Sequence, residues 1–201
     1  MRITAIFEDW YIGDGTYPPF RKNQLVNLAF EMYPKGLTAD DGRATTFQHV
    51  GNAEYEFSGT VLRHYREQKP HVLIEAGGFR FYVSSGVTPF DDIQQGKRVS
   101  GRGTLTLDHY LWAEFGHKYD CDPPNLFYTL RVARITEVEI PTTHIRRSET
   151  GWAAPTWVSA REVQNSREVE SMDERKWEVG FFEVEYDDEG VEEHVVPRTA
   201  R

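Results

Sequence analysis

The 201-residue sequence has a single cysteine, Cys121, so it can close no internal disulfide, and that fits a reducing compartment. It lacks any apolar run near the roughly 20 residues that a membrane-spanning helix needs. Its start, Met1-Arg2-Ile3-Thr4-Ala5-Ile6-Phe7-Glu8-Asp9, meets acids too early for a secretory signal. Positive charge is short as well: 23 Lys and Arg stand against 32 Asp and Glu, a net charge of −9. A nucleic-acid binder ordinarily carries a basic footprint, so this balance argues against one while leaving room for a local basic groove. No Gly-x-Ser-x-Gly elbow, no His-Glu-x-x-His and no repeat of solenoid type occurs. These absences describe an acidic, cytoplasmic chain with no legible catalytic motif.

Aromatic residues are plentiful. The 12 Phe, 10 Tyr and 5 Trp are too many for a disordered chain, and the length suffices to bury a core. Period-two alternation predicts mostly strands. The first covers residues 2–12. A second covers about 24–33, where Val26, Leu28, Phe30 and Met32 alternate with Asn27, Ala29 and Glu31. Turns are expected at Gly36 and at Asp40-Asp41-Gly42, and a short strand at Thr45–Val50. Residues 54–65 place Tyr55, Phe57, Val61 and Tyr65 on one face, interrupted by Gly59. His71–Ala76 and Phe79–Val83 flank Gly77-Gly78, and two glycines between short apolar runs predict a tight hairpin. A further strand over Leu126–Ile140 changes parity between Val132 and Ile135, which predicts a bulge near Ala133-Arg134.

The stretch Gly96-Lys97-Arg98-Val99-Ser100-Gly101-Arg102-Gly103 poses a choice between a phosphate loop and a bent strand. A P-loop needs Gly, four residues, then Gly-Lys-Ser/Thr opening a helix; here the lead-in is missing and a β-branched tail follows. Val99, Gly101, Gly103, Leu105 and Leu107 fall on one face, so the glycines remove bulk where a sheet coils sharply. The bent strand is preferred.

Together these patterns predict a mainly β fold. The core is a barrel over about 54–140 (domain 54–141) that resembles a small OB-type or related Greek-key barrel. N-terminal strands in 1–50 pack on it. Residues 142–201 supply a polar connection, a short helix from Ser159 to about Arg175, a strand over Lys176–Tyr186 and its hairpin partner at Val191–Val196.

Chemistry is sparse. His109 to Asp122 holds two His, one Cys and three acids, and His117, Asp120 and Cys121 are the weak metal candidates. Their spacing matches no familiar zinc pattern, and Asp122-Pro123-Pro124 is loop composition, so neither a metal nor any other cofactor is expected. Cys121 as a nucleophile would need a base, for which His117 stands four residues away in sequence, and no third, orienting group is identifiable, so an incidental thiol is preferred. Three function classes remain. One is a non-catalytic protein-interaction module, of which a toxin-neutralising immunity protein would be one case. It would bind a basic partner, or itself, through loop-borne aromatics: Trp10, Tyr17, Trp112, Trp152 and Trp157. The second is a nucleic-acid or nucleotide binder using Arg80, Tyr82, Arg98 and Arg102 on the barrel face. The third is an enzyme whose site is assembled from distant residues such as His109, His117 or Cys121. The interaction module is the first choice.

Overall fold

Every strand has two hydrogen-bonding edges, and the central strands of this chain satisfy both by closing into a ring. A computed structural model describes residues 1–8, 10–13, 15–40, 42, 44–65, 71–84, 93–108, 128–139, 145–147, 153–155, 165–172 and 181–188. They divide into two units: Met1–Leu25 with Arg131–Asp188, and Val26–Leu130, to which 189–201, outside the described residues, are also assigned. The fold is mainly β and contains a closed five-stranded barrel with additional strands.

The barrel belongs to the second unit. Its strands are β3 (Phe30–Ala39), β5 (Glu54–Tyr65), β6 (His71–Ala76), β7 (Phe79–Ser84) and β8 (Arg98–Leu107). Pairing runs β8–β3–β7–β6–β5 and back to β8. Only β3 and β7 pair in parallel, through Glu31↔Tyr82 and Met32↔Val83; the other contacts are antiparallel. Two strands depart from the expected membership of the ring. The segment at 30–39 closes it, and the strand at 128–139 lies outside it. Gly36 does not end a strand either. It follows a bulge at Lys35, where the β3–β8 register shifts between Pro34 and Gly36, and β3 continues to Ala39. Pro34 is tolerated because the bulge suspends regular pairing at that point.

Alternation fills the ring as the sequence predicts. Phe30, Met32, Phe57, Val61, Val72, Ile74, Phe79, Phe81, Val99, Leu105 and Leu107 are buried. Phe57 meets Phe81 edge-on at 5.1 Å, and Phe79 stacks on Tyr128 at 5.0 Å. Gly101 and Gly103 make closure possible. β8 pairs with β3 on one edge and β5 on the other, and a β-carbon on Gly101 would stand 2.9 Å from Phe57 Cζ. The hairpin expected at Gly77-Gly78 is present, with φ of 56° and 82° and β6 paired to β7 from His71↔Ser84 to Ala76↔Phe79. β4 (Thr46–Gly51) adds to β5 antiparallel, with Thr46↔Ser58 through His49↔Tyr55 in continuous register.

In the first unit, β1 (Arg2–Glu8) pairs antiparallel with β13 (Phe181–Asp188), from Arg2↔Asp187 to Glu8↔Phe181. The order is β12–β9–β13–β1, with β12 (Asn165–Val169) antiparallel to the end of β9 (Tyr128–Glu139). The strand expected over 2–12 therefore stops at Glu8, and Trp10–Gly13 form a single helical turn, α1. That turn lets Tyr11 fold back onto Phe7, centroids 5.4 Å apart, while Phe20 meets Phe7 at 4.9 Å. The segment expected as one strand over 24–33 is broken at Ala29 into β2 (Leu25–Leu28) and β3.

The helix expected from Ser159 to Arg175 is contradicted at its centre, because residues 165–169 are strand β12. Its apolar positions are too sparse to bury a helical stripe, and a partner edge on β9 satisfies the backbone instead. β13 begins at Phe181 and finds its partner in β1; the expected hairpin strand at Val191–Val196 lies outside the described residues. The expected parity change in β9 is present: Leu130, Val132 and Ile135 are all buried. β10 (Ile145–Arg147) and β11 (Ala153–Pro155) form a two-stranded antiparallel sheet.

Candidate binding surface

The outward face of the barrel carries the residues proposed for a nucleic acid. Arg80 projects from β7 beside Glu75 of β6, its register partner, and donates from Nε to the carboxylate at 2.7 Å. Arg102 stands on β8 between two β5 acids, donating to Glu54 at 2.6 Å and lying 3.5 Å from Glu56. Lys35, exposed by the β3 bulge, pairs with Glu54 as well. Arg98 donates from Nη2 to Ser58 Oγ at 3.1 Å, and Ser58 donates to Asp40 at 2.9 Å, so this cation is tied to an acid through a buried hydroxyl. Tyr82 does point to the outer side of the sheet, yet it is only 3 % exposed and its ring meets His71 edge-on at 5.6 Å. Stacking a base needs an open aromatic face beside uncommitted positive charge. Tyr82 offers no open face, Arg80 and Arg102 are paired with acids, and the Arg98 Nε, which has no hydrogen-bond partner, is buried away from a ligand.

The Gly96 turn is likewise committed inward. Gly96 N–H donates to the Val61 carbonyl, Val61 N–H donates to Lys97, and Lys97 N–H donates to Gln94. A phosphate cradle needs such amides aimed at the ligand. Here they bind the turn to β5.

In the first unit, Trp10 donates from its indole to the Glu8 carboxylate and packs edge-on against Tyr11. Tyr17 joins the Phe7, Tyr11 and Phe20 cluster, 6.1 Å from Phe7. Both are half-buried, so each shows part of its ring. Trp112, Trp152, Trp157, His117, Asp120 and Cys121 lie outside the described residues. Cations of this unit are paired too: Arg2 with Asp187 at 2.9 Å, Arg167 with Glu137 at 2.9 Å, and Lys22 with Glu168 at 3.1 Å. The hydrogen bond to Asp187 holds the Arg2 guanidinium above its ordinary range, and that to Glu168 does the same for the Lys22 ammonium.

Two features escaped the sequence pattern. The first is a buried polar row on the outer side of the barrel. Glu31 has Thr106 as its register partner on one side and Tyr82 on the other, with His71 against Tyr82. All four are buried, and Glu31, His71 and Tyr82 are engaged in further interactions. Alternation marks these positions as outward, and it is tertiary cover that buries them. Satisfied polar networks of this kind fix one arrangement of a core. The second is the edge of β4. Thr46, Gln48, His49, Val50 and Gly51 are exposed, and no described strand pairs with it on the side away from β5. The neutral, period-two run Thr-Phe-Gln-His-Val was the available signal.

Among the described residues no cluster of three or more His, Cys, Asp or Glu side chains is placed to hold a metal ion, and no helix is long and apolar enough to cross a membrane. Comparison with known protein families, with curated proteins and with solved structures finds no match to this chain.

Proposed function

We propose that the chain is a non-catalytic protein-interaction module whose acidic surface takes a partner with a basic one. The observation that carries this reading is the placement of Arg102 between Glu54 and Glu56, repeated in kind at Arg80 and Glu75. Cations engaged in this way leave the net −9 to act on the surroundings, and such a field accelerates association with a basic protein at low salt. The half-exposed Trp10 and Tyr17 rings are suited to anchor an interface, because aromatic rings give contact area at low entropic cost. A toxin-neutralising immunity protein is one module of this description, favoured by the size, the acidity and the lack of a catalytic motif.

The second reading, a nucleic-acid binder, is supported by the closed five-stranded barrel, because OB-type barrels of that strand number bind oligonucleotides. The commitment of Arg80, Arg98 and Arg102 weighs against it. Affinity capture from the native cell at low and high salt, with reciprocal capture of each candidate, tests the choice alongside titration of a labelled oligonucleotide. A basic protein retained at low salt and released at high salt is expected. Tight oligonucleotide binding without a protein partner would replace this reading with the second.

A further inference from the structure

We infer that β4 is an acceptor edge, adding to the barrel an extended segment of a partner protein in which cationic and apolar side chains alternate. The inference rests on the interaction-module reading above and gives it a place. A strand paired on one side presents a row of free amides and carbonyls that an incoming chain can complete. Thr46 through His49 are in unbroken register with β5, and the irregularity before Gly51 comes only after them. Proteins blunt such edges with lysine, proline or inward charge, and residues 46–51 contain no formally charged residue and no proline. Among the described residues no strand pairs with β4 on the side away from β5, and the β6–β7 turn reaches only its start, where a β-carbon on Gly77 would stand 2.9 Å from Phe47 N.

Charge and shape select the occupant. On the outward face Gln48 has Glu56 as its register partner; the Glu56 side chain is 56 % exposed and lies 3.5 Å from Arg102 of β8, on the edge of β5 away from β4. A residue added opposite Gln48 would sit about 10 Å from Glu56, two strand spacings away, which is within reach of a lysine or arginine. On the other face Phe47 is half-buried: its ring stacks on Tyr55 at 4.3 Å and lies against Phe79 at 4.7 Å and Phe81 at 5.5 Å, so only its solvent-facing part is left for an apolar side chain of the added segment. A second copy fits poorly. It would bring two chains of net −9 together and place a second Glu56 row across from the first.

The probe is a blocked hexapeptide, Lys-Val-Lys-Val-Lys-Val, titrated into the isotope-labelled full chain, with Glu-Val-Glu-Val-Glu-Val as control. Amide shifts should concentrate at residues 46–51, and the glutamate peptide should bind at least about tenfold more weakly. Gln48→Pro should abolish the response. Because that variant risks misfolding, Gln48→Lys serves as a second block, and Glu56→Gln should narrow the preference for lysine severalfold. A lysine peptide bound at another surface, or equal binding of both peptides, overturns the β4 assignment while leaving the interaction-module reading standing. A dimer that dissociates in Gln48→Lys overturns it in favour of self-pairing. No binding by any cationic probe, together with tight oligonucleotide binding, removes both.

Discussion

Gly103 of β8 runs so close to Tyr33 of β3 that a β-carbon on the glycine would stand 2.5 Å from the tyrosine carbonyl oxygen and 2.8 Å from Met32 Cγ. The approach is backbone against backbone, so no side-chain rotation relieves it. β8 is held on its other edge by β5, which removes the freedom to step aside.

Gly103→Ala should therefore fall at the upper end of the about 1–3 kcal/mol that overpacking a core costs. Gly96→Ala meets open space and suffers only from its positive φ of 79°, for about 1 kcal/mol. Denaturant titration of both variants is the check. If Gly103→Ala is the milder change, β8 yields and does not set the barrel's curvature.

Gly77 and Gly78 separate strain from crowding. Both have positive φ, yet only Gly77 also lies against the Phe47 backbone. Alanine at residue 78 should cost roughly 1 kcal/mol, and alanine at residue 77 distinctly more, read as a larger fall in melting temperature. Equal losses would mean that the contact with β4 carries no weight.

Lys97 should have no part in nucleotide binding. The amides of Gly96 and Lys97 already donate within the turn and to β5. Neither ATP nor GTP should produce a calorimetric signal above that of buffer. A signal abolished by Lys97→Ala would restore the phosphate-loop interpretation.

Tyr186 should govern part of the alkaline stability. Burial pushes its phenol well above the ordinary value of 10.0, and nearby Tyr17 adds to the shift. A group whose folded value is raised keeps its stabilising effect below the unfolded value and loses it as pH rises through the folded one. Stability should accordingly fall above about pH 10, and Tyr186→Phe, which cannot ionise, should lessen the fall. Thermal midpoints at pH 8 and pH 11 decide this; a drop of equal size in both proteins removes Tyr186 as a cause.

Strand content, the hairpin at Gly77-Gly78, the inward set of β8 and the parity change in β9 are all legible in the order of the residues alone. Each follows from a period of two or from a backbone angle that only glycine adopts freely, and both are local properties. That order did not determine which strands form the ring. Whether β3 or β9 completes the barrel depends on edges far apart in the chain, as when Phe30 meets Leu107, and no local pattern records that choice. The strand at 165–169 was hidden for a related reason, since its pattern is weak and its partner is β9. Tertiary structure alone also decided the charges. Arg80, Arg98 and Arg102 look like free cations in the sequence, and only the sheet register sets Glu75, Ser58 and Glu54 beside them. Register fixes what each outward side chain faces, and register is a property of the closed barrel.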